Sequence, residues 1–213
     1  MRLVFRPWWK SLLELAAGRW ARNETITCRE GLQRFLETRA NYVAQASLYG
    51  YLRTRAGTRF PELFSNDAFV HSINIAKWQL WLACLGDIAV YAGGLLAQRT
   101  GQPPEVIRAL LSELVEGILA STGVPADAGT EFEAGAQHVR ARIALCDWSS
   151  VTDDETPFFE SPTALVRHAP VVDEFMRLDE PIVRNSVRFR WQEVRRALRR
   201  NLDAGAVLAS AGS

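Results

Sequence analysis

The residues best suited to chemistry lie in one segment, Asp67 to Arg99. Asp67 and His71 stand four apart, which on a helix puts them on one face. A carboxylate beside an imidazole can move a proton or hold a ligand. Farther along, Lys77 and Asp87 interrupt an apolar run that includes Trp78 and Trp81. Ten helical residues separate these charges by roughly 80° around the axis and about 15 Å along it. They cannot pair with each other, and a buried charge without a partner is costly. Each therefore needs its own partner from elsewhere in the chain. Asp67, His71, Lys77, Trp78, Trp81 and Asp87 form the candidate ligand-binding set.

Other catalytic patterns are missing. No serine stands in Gly-x-Ser-x-Gly, the strand-to-helix turn of common ester hydrolases. No histidine has a glutamate three residues before it, as di-iron bundles require. There is no phosphate loop, no Cys-x-x-Cys and no calcium loop. The reading is therefore no metal and no cofactor. His138 reads as a surface residue and His168 as a favourable charge at a helix C-terminus. The acids Asp147, Asp153, Asp154, Glu155 and Glu160 read as a solvated loop, or else as a partner surface for the arginines. Cys28, Cys84 and Cys146 are three in number and widely spaced, which fits free thiols in a reducing cytoplasm.

The elements that must position these groups are helical almost throughout. The expected fold is all-α: one domain, a bundle of six to eight helices around a long buried helix. That central helix covers 67–99. It is long enough for a membrane span, but Lys77 and Asp87 argue for a core helix instead. Gln79, Leu82, Gly86, Ala89, Gly93 and Ala97 form a stripe of mostly small residues on it, with the helix 28–56 as the expected close neighbour. Thr27 with Glu30, and Thr130 with Glu133, match capping boxes. Helices are expected to about Ala56, from Pro103 or Pro104 to about Ser121, and from Thr130 to about Trp148. Ser161-Pro162 is expected to cap a helix ending at His168. Pro181 is expected to separate a short helix, 171–178, from a last one ending near Leu202. The domain reading is an N-terminal basic segment 1–26, a core 27–203 and a fraying tail 204–213.

Charge is uneven. Residues 1–22 carry five basic residues against Glu14, and 180–203 carry seven arginines against three acids, so basic ends bracket an acidic middle. The N-terminus joins Arg2, Arg6 and Lys10 to Trp8 and Trp9, a composition suited to an anionic membrane surface. Lys10 and Glu14 cut its apolar run, so it does not read as a secretory signal. In 182–202, Val183, Val187, Trp191, Val194, Leu198 and Leu202 make an apolar stripe. Arg188, Arg195 and Arg199 lie beside it, available to the acidic core or to an anionic surface. No recognition motif accompanies this charge, so no nucleic-acid partner is expected.

Two stretches are familiar as a pair. RFLETRANYVAQASLYGYLRTRAGTRFPELF (34–64) with SINIAKWQLWLACLGDIAVYAGG (72–94), and RHAPVVDEFMRLDEPIVRNSVRFRWQEVRR (167–196), resemble an uncharacterised family of bacterial helical proteins that often carry an esterase label. The resemblance covers roughly half of the chain. It implies ester hydrolysis as an activity but brings no catalytic motif, so no residue inherits a role. The residues themselves favour a helical interaction or regulatory protein. It would be cytoplasmic or peripheral to an anionic membrane, with a protein partner or a second copy. A small esterase and an apolar-ligand carrier are the alternatives.

Overall fold

The computed structural model describes residues 25–210. The chain forms α1 (Arg29–Ala56), a 3-10 turn (Gly57–Arg59), a short α2 (Phe60–Leu63), α3 (Asp67–Thr100) and α4 (Pro104–Thr122). It continues through α5 (Phe132–Ala144), α6 (Glu160–His168), α7 (Asp173–Asn201) and α8 (Ala204–Ala209). Among the described residues no strand forms beyond one parallel bridge between Ile26 and Leu202. The fold is the expected all-α bundle around a buried central helix. Arg2, Arg6, Trp8, Trp9 and Lys10 lie outside the described residues.

Helix α3 is the axis, and α1, α4, α5, α6 and α8 pack on it. Asn66 starts it by accepting the Phe69 N–H at 3.1 Å, and Gly101 ends it at φ +61°. It is long and apolar enough to cross a membrane by length and composition, but 89% of its most apolar stretch is buried inside the fold. Surrounding helices remove that apolar surface from water, which is the main force holding the bundle together. The glycines of α3 serve a different neighbour from the one expected. A Cβ on Gly93 would lie 2.2 Å from the Trp148 ring, and one on Gly94 would lie 2.3 Å from Val151. Gln79, Leu82 and Gly86 face α5, and Gly93 receives the segment that links α5 to α6, so the stripe does not serve helix α1.

Several boundaries move for identifiable reasons. At the start of α1 the N-cap is Cys28 with no side-chain cap, so the Thr27–Glu30 box does not form. The backbone of Ile26 is already held by Asn201 and Asp203, and the Arg29 N–H donates to the Ser210 hydroxyl. The Thr130–Glu133 box is likewise absent: Glu131 is the N-cap of α5, and Glu133 pairs with Arg140. That helix stops at Ala144, and Trp148 turns inward from the following segment with 1% exposure.

The largest correction concerns Pro181. Helix α7 runs unbroken from Asp173 to Asn201 with Pro181 inside it. An internal proline costs about 3 kcal/mol, so tertiary contacts must outweigh the loss. Met176 before it and Val183 after it are both buried in the core. Tyr51 donates to Asp179 at 3.0 Å, and Arg184 reaches back to Glu180 at 2.7 Å. The end of α7 is held by Arg99, which donates to the carbonyls of Arg199 and Leu202. Those carbonyls have no partner within the helix. Residues 204–209 do not fray: they form α8, capped by Asp203 at the Ala206 N–H and anchored by fully buried Val207.

Candidate functional site

Asp87 is completely buried on α3. Its carboxylate accepts from Arg142 Nη1 at 2.7 Å, from the Ser161 N–H at 2.9 Å and from the Glu160 N–H at 3.4 Å. Phe159 holds the N-cap position of α6 without a side-chain cap, and Asp87 accepts from the first N–H groups of α6 from another helix. The expected Ser161 cap does not form: α6 begins at Glu160, and the Ser161 hydroxyl accepts from Trp191 Nε1. Arg142 also reaches Glu160 at 3.0 Å and the Pro157 carbonyl at 2.8 Å. His138, on the surface as expected, meets the other Glu160 oxygen at 2.9 Å. Burial pushes the Asp87 carboxyl up to about 6, against the pull of Arg142 and Ser161. The Cys84 thiol, fully buried nearby, is raised for the same reason.

Lys77 takes a separate partner, Asp127 in the α4–α5 segment, at 3.1 Å. Trp78 Nε1 donates to the other oxygen of Asp127 at 2.7 Å, and Lys77 lies over the Trp78 ring. Trp81 is buried edge-on to Trp78 and stacked on Phe132. Lys77 and Asp87 thus form two distinct ion pairs, as their spacing requires. Asp67 and His71 are both exposed at the start of α3, away from these groups. The six-residue candidate set does not converge on one place.

A third tie involves the acidic segment. Asp153 is exposed yet paired, meeting the arginines as the second reading of these acids expected: it accepts from Tyr91 at 2.7 Å, from Arg199 at 2.9 Å and from Arg195. Burial works to raise its carboxyl, but these donors outweigh burial and hold it below the ordinary carboxylate value. Arg195 and Arg199 are therefore engaged with the fold, as one reading of the basic helix required. Asp147 and Asp154 keep to local turns with Ser149 and Thr156.

These ties use Lys77, Asp87, His138, Asp153, Glu160, Arg195 and Arg199, and they leave the outer side of α7. Its inner stripe, Val183, Val187, Trp191, Val194 and Leu198, is buried as expected. Its outer side is also apolar. Leu178, Ile182 and Phe189 are each 72% exposed, Val172 is 66% and Phe175 is 45%. Arg55 stacks on the Phe175 ring at 4.1 Å and pairs with Asp179. Beside this stripe, Arg177, Glu180, Pro181, Arg184, Asn185 and Arg188 line a surface hollow of about 370 Å³. Single apolar residues are normal on a protein surface, but several gathered on one helix face make a candidate contact site. Sequence reading missed this stripe because it ended a helix before Pro181. Once the helix is continuous, Phe175, Leu178, Ile182 and Phe189 fall at helical spacing on one face.

No protein-family model, no curated protein and no solved structure matches this chain.

Proposed function

We propose that this protein is a helical interaction protein whose working surface is the outward face of α7. One observation carries the reading: α7 has two apolar sides, and only one of them is used by the core. Leaving several large apolar side chains in water forgoes about 1.5–3 kcal/mol each that burial would supply. A partner that covers the stripe recovers that energy. The paired charges support the same reading, since Asp87, Lys77 and Asp153 are tied into structural pairs.

A second reading, contact with an anionic membrane surface, draws on Arg177, Arg184 and Arg188 beside the stripe. Both readings use the same face, and one experiment tests that face. Full-length protein is assayed for self-association by sedimentation and for binding to phosphatidylserine vesicles, beside Leu178→Asp/Phe189→Asp. The variant is expected to lose whichever association the wild type shows while keeping the same helical circular dichroism. A variant that associates like the wild type, or a wild type with neither association, contradicts the proposal.

A further inference from the structure

We infer that the occupant of this face is a second copy of the chain, with α7 packed antiparallel on α7. The inference rests on the reading of α7 as the working surface and names its partner. Phe175, Leu178, Ile182 and Phe189 repeat at three, four and seven residues, the spacing of a seam between two helices. From Phe175 to Phe189 that seam is about 21 Å long. Asn185 falls in the same seam, three residues after Ile182 and exposed. A single polar residue in such a seam fixes register and partner number.

Charge sets the direction. Residues 173–180 carry Asp173, Glu174, Asp179 and Glu180 against Arg177. Residues 181–201 carry seven arginines against Glu193. A parallel copy would place acid beside acid and arginine beside arginine. An antiparallel copy places Glu174, the acid that flanks the seam, toward the arginine-bearing part of the other helix. With Ile182 near the twofold axis, Phe175 of one copy lies opposite Phe189 of the other. Glu174 then comes within a turn of Arg188 of the other copy. Such a contact is self-complementary and closes, as a twofold dimer must.

Charge also weighs against two other occupants. An anionic membrane would meet Glu174, one helical turn before Leu178 and beside the stripe. Residues 1–24 carry five basic residues against Glu14 and Glu24, the same sign as the longer part of α7.

The test uses full-length protein in sedimentation velocity across about a hundredfold range of concentration, since dimerisation follows mass action. The wild type is expected to form a dimer. Ile182→Asp is expected to be monomeric, with unchanged helical circular dichroism. Glu174→Arg and Arg188→Glu are each expected to weaken the dimer about tenfold, since each puts like charges together at two symmetric places. Combined in one chain, E174R/R188E is expected to restore it, which only antiparallel pairing allows. A wild type that stays monomeric overturns the inference, as does a dimer that Ile182→Asp leaves intact. A double swap weaker than either single change overturns the antiparallel direction. A monomer that binds phosphatidylserine vesicles through Ile182 overturns the second copy and leaves α7 as the working surface. A monomer that binds neither overturns both, and protection of Leu178, Ile182 and Phe189 from hydroxyl radicals in it would identify residues 1–24 as the cover.

Discussion

Replacing Arg142 with methionine isolates the buried charge of Asp87. Arg142 has 11% side-chain exposure and Asp87 has none, and the replacement removes three contacts: Asp87 at 2.7 Å, Glu160 at 3.0 Å and the Pro157 carbonyl at 2.8 Å. Breaking a buried pair from one side typically costs about 3–5 kcal/mol, because the surviving charge is left without compensation. For a chain of this size, about 4 kcal/mol lowers the melting temperature by roughly 12 °C. The loss must depend on pH, and its sign follows from burial. Asp87 titrates near 6 in the native fold, above the ordinary value of 3.8. Its contribution to stability is fully present below the ordinary carboxylate value and is lost as pH rises to about 6. Arg142 is the largest influence pulling the carboxyl down, so Arg142→Met moves its titration higher. Each pH unit is worth about 1.4 kcal/mol, so the excess cost grows by up to about 3 kcal/mol between pH 6 and 8. Urea unfolding at pH 5.5 and pH 8 measures this directly. Asp87→Asn added to Arg142→Met should recover most of the loss at pH 8. An equal loss at both pH values, or a loss under about 1 kcal/mol at pH 8, would refute the reasoning.

Other substitutions probe the remaining ties. Gly93→Ala forces a Cβ into the Trp148 ring, 2.2 Å away on a helix that cannot yield. It should cost about 1–3 kcal/mol by overpacking, whereas alanine in an open helix position would stabilise; thermal melting decides between them. Tyr91→Phe removes the 2.7 Å hydrogen bond to Asp153 and should cost about 1–2 kcal/mol in urea unfolding. Asp203→Ala removes the cap of α8 and should cost about 1 kcal/mol, with faster hydrogen exchange at residues 204–209. Phe189→Ser, at a residue 72% exposed, should change unfolding stability by less than about 0.5 kcal/mol while weakening self-association.

Much of the fold was legible because its strongest signals are periodic. The apolar length of α3 and the inner stripe of α7 both follow from spacing. The requirement that Lys77 and Asp87 find different partners was legible from helix geometry alone. Which partners they take was not. Asp127, Arg142 and Asp153 sit 50, 55 and 62 residues in sequence from the α3 groups they bind. Capping patterns misled at Thr27, Thr130 and Ser161 because long-range donors and acceptors displaced the local ones. Pro181 misled in the same way, since contacts on both sides of it carry α7 across the missing hydrogen bond. That one misplaced boundary also hid the outward stripe, whose residues span it.

Cysteine pairing across the proposed seam tests the central claim most directly. Cys28 and Cys146 are changed to serine, leaving fully buried Cys84 in place. Phe175→Cys and Phe189→Cys are then made in separate chains of this background and oxidised, alone and mixed. Antiparallel α7 contact predicts a disulfide-linked dimer in the mixture and little in either chain alone. Linkage within each chain alone but not in the mixture, or no linkage at all, would contradict it.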